Sequence, residues 1–221
     1  MSNIQTIISL VGTSTLQTLE MVLFSTVFSL ILGLPLGILL CVTDPQGGIM
    51  PKPLLNQILT RIVNVLRSFP FIILMILLFP LSRIIVGTSI GTKATIVPLS
   101  IAAAPFVARV IETALKEVDP GVVQAARAMG STNFQIITKV LLPESMPSLV
   151  AGITLTIINL IGYSAMAGAI GGGGLGDLAI RYGYQRFRTD IMVVSVVVIL
   201  VLVEVIQIIG TKISAHLMAR R

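Results

Sequence analysis

The sequence predicts an all-α integral membrane protein with five transmembrane helices. Hydrophobic residues fill 55% of its 221 positions and charged residues only 11%, where a soluble domain is roughly one quarter charged. Residues 21–43 and 145–176 contain no charge at all, and each run exceeds the roughly 20 residues a helix needs to cross a bilayer. In lipid every backbone polar group must be satisfied within its own segment, so spans of this kind are helices.

The spans are expected at about residues 16–43, 58–83, 94–116, 147–170 and 190–212. The second and third carry charge close to their apolar cores. Only 15 uncharged residues separate Arg67 from Arg83, and 15 separate Lys93 from Arg109, so Arg67 and Arg109 must lie near helix ends or face protein. Pro70 and Pro80 bracket part of the second span, and Pro98 and Pro105 interrupt the third. Each proline releases a backbone bond and bends its helix. No internal repeat or separate soluble domain is visible, and residues 1–221 read as one domain.

The net charge of +6 is scattered between apolar segments and reads as a topology signal. With the N-terminus outside and the C-terminus cytoplasmic, eight basic residues face the cytoplasm: Lys52, Arg61, Lys116, Arg127, Lys139, Lys212, Arg220 and Arg221. Five face outward: Arg83, Lys93, Arg181, Arg186 and Arg188. The opening residues have no basic start and the first apolar run is too long for a signal peptide, so the N-terminus is expected to be uncleaved. Cys41 lies inside an apolar run, can form no internal disulfide, and reads as a small lipid- or core-facing residue.

Residues 117–144 hold more helix punctuation than a connector needs. Asp119 suits an N-cap with Pro120 at the first helical position. Gly130 can take the left-handed conformation that ends a helix. Thr132 and Gln135 form a capping box for a second short helix running into Pro143. A helix, a glycine hinge and a second helix on the predicted cytoplasmic side would present a docking surface. Ala125, Ala126 and Ala128 would allow close approach, and Val122, Val123, Met129, Phe134 and Ile137 would anchor it. From the residues alone, an amphipathic loop lying on the membrane is an equal reading.

The spacing of Gln124-Ala125-Ala126, Gly130, Val140, Leu142 and Pro143 resembles the EAA signature of ABC importer permeases. Gln124 departs from it, standing where the general signature has glutamate, so a neutral hydrogen bond would replace a charged contact. The stretches 67–73, 86–91, 104–109, 162–168 and 181–184 are similar to segments of methionine-importer permeases. The resemblance implies a type I ABC importer fold and an ATPase-coupling role for Gln124, Ala125, Ala126, Met129, Gly130, Phe134, Leu142 and Pro143. It also implies a second copy of the chain, two ABC ATPase subunits that hold ATP and Mg, an extracytoplasmic substrate-binding protein, membrane lipid as surroundings, and a bacterial cell membrane.

No G-x-x-x-x-G-K-[ST] run occurs, so the chain has no Walker A loop and carries no cofactor of its own. Gly171, Gly173 and Gly176 match G-x-G-x-x-G literally, but they follow a membrane span rather than a strand, and a sharp turn at the outer mouth is their expected role. The single histidine, His216, and the dispersed acids offer no catalytic constellation, which argues against a membrane enzyme. In the fourth span, Ser164 with Gly168 and Ala165 with Ala169 have the spacing of tight helix contacts. Asn159, Tyr163 and Met166 share one helix face. With Ser164 they are candidate pathway or gate residues, plain core packing being the alternative. Arg109 and Glu112 are expected to pair, Arg67 to snorkel, and Glu20 and Glu204 to make helix or interface contacts. An importer for another small solute, or a transporter that works without ATP, remains as a rival function.

Overall fold

The computed structural model describes residues 2–219, omitting the side chains of 2–4; Arg220 and Arg221, counted above as cytoplasmic, lie outside the described residues. The described residues contain helices and no strand. The helices are α1 (Ser2–Val42), α2 (Pro53–Ser68), α3 (Phe71–Val86), α4 (Thr92–Lys116), α5 (Pro120–Ala128), α6 (Asn133–Ile136), α7 (Leu142–Gly168), α8 (Gly174–Leu178) and α9 (Thr189–Met218). Four stretches are long and apolar enough to cross a membrane, and a fifth is obtained if α2 and α3 together form one span.

Three departures from the sequence reading have physical causes. Helix α1 begins well before residue 16, because no proline occurs there and the hydroxyls of Ser9, Thr13 and Thr15 donate to carbonyls of their own helix. The second span is two helices. Pro70 is extended at φ −59°, ψ 126°, and a proline disfavours helical geometry in the residue before it. Helix α4 runs unbroken through Pro98 and Pro105, as packed membrane helices can when neighbouring groups re-satisfy freed carbonyls.

The chain forms two compact units, to both of which α1, α4, α7 and α9 contribute. One comprises Met1–Ser29, Phe69–Ala103 and Thr156–Gln207. Its core joins Met21 and Val22 to Leu99, Ala103, Leu160 and Ile161. The glycine run turns the chain back from α7 into α8, with φ of +86°, +80° and +79° at Gly171, Gly173 and Gly174, a region that L side chains rarely adopt. The amides this turn frees are capped from α1: Gly174 N donates to Gln17 Oε1 at 2.9 Å, and Leu175 N to Thr18 Oγ1 at 2.9 Å.

The other unit comprises Leu30–Ser68, Ala104–Leu155 and Ile208–Arg221. Here α1 crosses α4 backbone to backbone. A Cβ at Gly37 would stand 2.6 Å from the Ala108 carbonyl oxygen, and one at Gly33 2.6 Å from Val107 Cγ1. Gly33 and Gly37 are thus a four-residue small pair. A buried cluster of Cys41, Val42, Ile49, Ile111, Leu115, Ala126, Ile136 and Leu141 packs behind that crossing. Outside the cores, large apolar side chains on α1, α3 and α9 stand open, Ile84 at 81% and Leu200 at 61%. So much exposed apolar surface fits a protein whose solvent is lipid.

A polar chain runs through the same unit. Arg109 donates to Glu112 at 2.7 Å and to Asn64 Oδ1 at 2.8 Å, while Lys116 donates to Glu112 at 2.8 Å and pairs with Asp44. The expected Arg109–Glu112 pair is present, within a larger network. Glu112 is only 4% exposed, so its two cationic partners offset the cost of burying its charge. In the turn after α1, the hydrogen bond from Lys116 holds the Asp44 carboxyl below the ordinary carboxylate range, helped by the Gln46 amide. Arg67 lies with Cζ 6.0 Å from the Phe106 ring centroid. Glu20 is half-buried and Glu204 exposed, and neither forms an ion pair among the described residues.

Replacing Gly37 by Leu forces the side chain into the α4 backbone, which cannot yield. The expected result is a loss of about 1–3 kcal/mol, read as a lower melting temperature of the purified protein, whereas Gly12→Leu, in open space, leaves it unchanged. A carboxyl with a lowered folded pKa adds stability above its unfolded value and loses it as pH falls through the folded value. The stability difference between the wild type and Asp44→Asn is therefore present at neutral pH and vanishes as the medium is acidified below about pH 4, the ordinary aspartate value; thermal melts across that range measure it.

Candidate functional site

The α5–α6 segment is built as its punctuation predicts. Asp119 Oδ1 accepts from the Gly121 amide at 2.7 Å, with Pro120 in the first turn. Helix α5 ends where Gly130 takes φ +82°, and the Gly130 and Ser131 amides donate back to the Arg127 and Ala126 carbonyls. The capping box is complete: Gln135 N donates to Thr132 Oγ1 at 3.3 Å, and Thr132 N to Gln135 Oε1 at 2.8 Å. Helix α6 does not stop before Pro143. It passes through a wider π-helical turn, Ile137–Leu141, directly into α7. Pro143 donates no amide to the preceding turn and crowds the Lys139 carbonyl, and a wider turn accommodates both effects.

This geometry sorts the predicted coupling residues. Met129 at 80% and Phe134 at 74% exposure flank the hinge, with Val122 also exposed, so three apolar side chains stand on a polar-capped element. Gln124, Ala125 and Pro143 are exposed as well. Ala126 is not: at 3% exposure it is packed in the cluster with Ile136 and Leu141, and Leu142 is half-buried against the same cluster. These two hold the segment in place, because their side chains are turned from its open face. Gln124 and Arg127 line a cleft of about 520 Å³ together with Asp44, Gln46 and Lys116.

The other predicted set lies on α7. Tyr163 stacks on Phe71 of α3 with ring centroids 4.4 Å apart and planes 7° from parallel. Met166 is 47% exposed and Asn159 half-buried. Leu155, Gly162 and Ala169 extend the same open stripe, because each follows at helical spacing. Ser164 departs from the prediction: it is 2% exposed and its hydroxyl donates to the Ile161 carbonyl at 2.7 Å, so it belongs to the helix's packed side and not to an open path. Of the small residues, Gly168 and Ala165 meet α8 backbone to backbone, a Cβ at Gly168 lying 2.1 Å from the Asp177 amide nitrogen.

Sequence reasoning missed several partners in these sites. Phe71 reaches Tyr163 across more than 90 residues of chain, and Arg127 reaches the Ile49 carbonyl across 78. No local spacing signals such pairs. The four-residue spacing of Gly33 and Gly37 is present in the sequence, but the helix that it meets is set by packing.

Comparison with known proteins places this architecture. The family model described as "Binding-protein-dependent transport system inner membrane component" matches residues 33–221. The chain is 52% identical over 198 residues to the probable D-methionine transport system permease protein MetI of Vibrio cholerae, covering 90% of this chain and 88% of that protein. It is 49% identical over 169 residues to the methionine import system permease protein MetP of Bacillus subtilis, covering 76% of each. A solved inward-facing structure of the MetNI methionine ABC transporter superposes with a TM-score of 0.94 at 46% identity, covering 98% of this chain and 99% of that one. The chain therefore belongs to the family of binding-protein-dependent transport system inner membrane components, with the type I ABC importer fold of its permease subunits.

Proposed function

We propose that this chain is the permease subunit of an ATP-driven methionine importer and that residues 1–221 work as one permease domain. Two copies form the translocation pathway, each docking one ABC ATPase subunit, and an extracytoplasmic binding protein delivers the solute. The N-terminus lies outside and the C-terminus in the cytoplasm, which puts α5 and α6 on the ATPase side. ATP and Mg are held by the partner, and ATP-driven closure of the ATPases moves α5 and α6.

The observation that carries this reading is the open apolar face of Val122, Met129 and Phe134 around a left-handed Gly130, set on two helices whose N-termini are both capped. A membrane-lying loop has no need for a fixed hinge, whereas a docking element must keep its shape while being pushed. The methionine substrate is supported by the relatives named above. On α7, Asn159, Tyr163 and Met166 offer a polar, an aromatic and a thioether surface on one open face, which suits the passage of a small amphipathic solute.

The test is uptake of labelled methionine into proteoliposomes holding this chain, its ATPase and its binding protein, with other amino acids as competitors. Uptake that requires ATP and yields only to methionine-like competitors is expected. ATP-dependent uptake of another solute removes methionine, and uptake without ATP removes the importer reading altogether. Gly130→Val places a β-branched residue at φ +82°, a strain of about 1–3 kcal/mol, and is expected to abolish ATP-driven uptake by misdirecting α6. Wild-type uptake and wild-type complex assembly in that variant would show that the hinge does not couple.

A further inference from the structure

Building on the proposed importer, the geometry points to Arg127 as a positioning residue that carries movement of α5 to the ends of α1 and α2. Its Nη2 donates to the Ile49 carbonyl at 2.6 Å. Ile49 lies in the turn between α1 and α2, where the nearby amides are already committed: Gly48 N donates to the Asp44 carbonyl, Met50 N to Val42 and Lys52 N to Thr43. The Ile49 carbonyl receives none of these, so the guanidinium is its donor, and a charge-assisted bond is roughly twice as strong as a neutral one.

The turn that Arg127 grips is stiff and is fastened to the helices on either side. Asn56 of α2 donates to the Leu40 carbonyl of α1 at 2.8 Å and to Thr43 Oγ1 at 3.2 Å. Asp44 is paired with Lys116 at the end of α4. A displacement of α5 therefore reaches α4 through the covalent link at 117–119 and α1 and α2 through Arg127. Ala126 of α5 also packs in the apolar cluster with Cys41, Val42 and Ile49, a non-directional contact, so Arg127 is the directed polar tie between α5 and that turn. The bond sits on the rim of the 520 Å³ cleft, so water can replace it when the side chain is removed, and the fold does not depend on it.

The experiment compares wild type, Arg127→Ala and Arg127→Lys in the assembled transporter, measuring ATP hydrolysis and solute uptake on the same proteoliposomes. Arg127→Ala is expected to lower solute moved per ATP by about tenfold, the equivalent of one charge-assisted hydrogen bond, while hydrolysis and co-purification of the ATPase stay at wild-type levels. Arg127→Lys, which can still donate to a carbonyl, is expected to restore part of the ratio. An Arg127→Ala protein with an unchanged ratio, or one that loses the ATPase and hydrolysis in the same proportion as uptake, overturns the assignment. Failure of the wild type to show any ATP-driven uptake overturns instead the importer reading on which it rests.

Discussion

A membrane helix keeps its amides and carbonyls bonded to each other because lipid offers them no alternative. That constraint makes nearly all of this chain helical, and it gives meaning to the few places where the backbone leaves the helix. At several of them the freed groups are met by particular side chains. Gln17 and Thr18 receive the amides of Gly174 and Leu175. Asn56 answers the Leu40 carbonyl, Asp119 the Gly121 amide, and Arg127 the Ile49 carbonyl. The breaks are consequently as well defined as the spans.

Two of those breaks bound α5 and α6, and they hold this short element in one shape. Its helix ends are closed by Asp119 and by the Thr132–Gln135 box, its turn is fixed by the left-handed Gly130, and its inner face is packed through Ala126 and Ile136. What remains open is the surface of Val122, Met129 and Phe134. On its far side the π-helical turn at Ile137–Leu141 runs without interruption into α7, so the segment is continuous with the helix that bears Asn159, Tyr163 and Met166.

Much of this was legible because it rests on local chemistry. Uncharged runs announced the spans, and the cap of α5, the glycine turn at 130 and the capping box of α6 could each be read within a few residues. The break at Pro70 was underestimated and those at Pro98 and Pro105 overestimated, because whether a proline bends or breaks a helix depends on neighbours that sequence does not display. Ser164 and Ala126 show the same limit from another side: residue type and spacing suited an exposed role, but the direction each faces is set by helix packing. Arg109 and Glu112, three residues apart, were readable as a pair, whereas Lys116–Asp44 and Arg127–Ile49 were not.

The central claim is that the open face at Met129 and Phe134 is where the ATPase seats, and chemical access to that face measures it directly. With Cys41 replaced by alanine, Phe134→Cys provides a single thiol whose rate of maleimide labelling can be followed on the permease alone and with the ATPase bound. The account predicts rapid labelling of the free permease and strong protection in the complex. Equal labelling rates in a sample where the ATPase remains associated would contradict it.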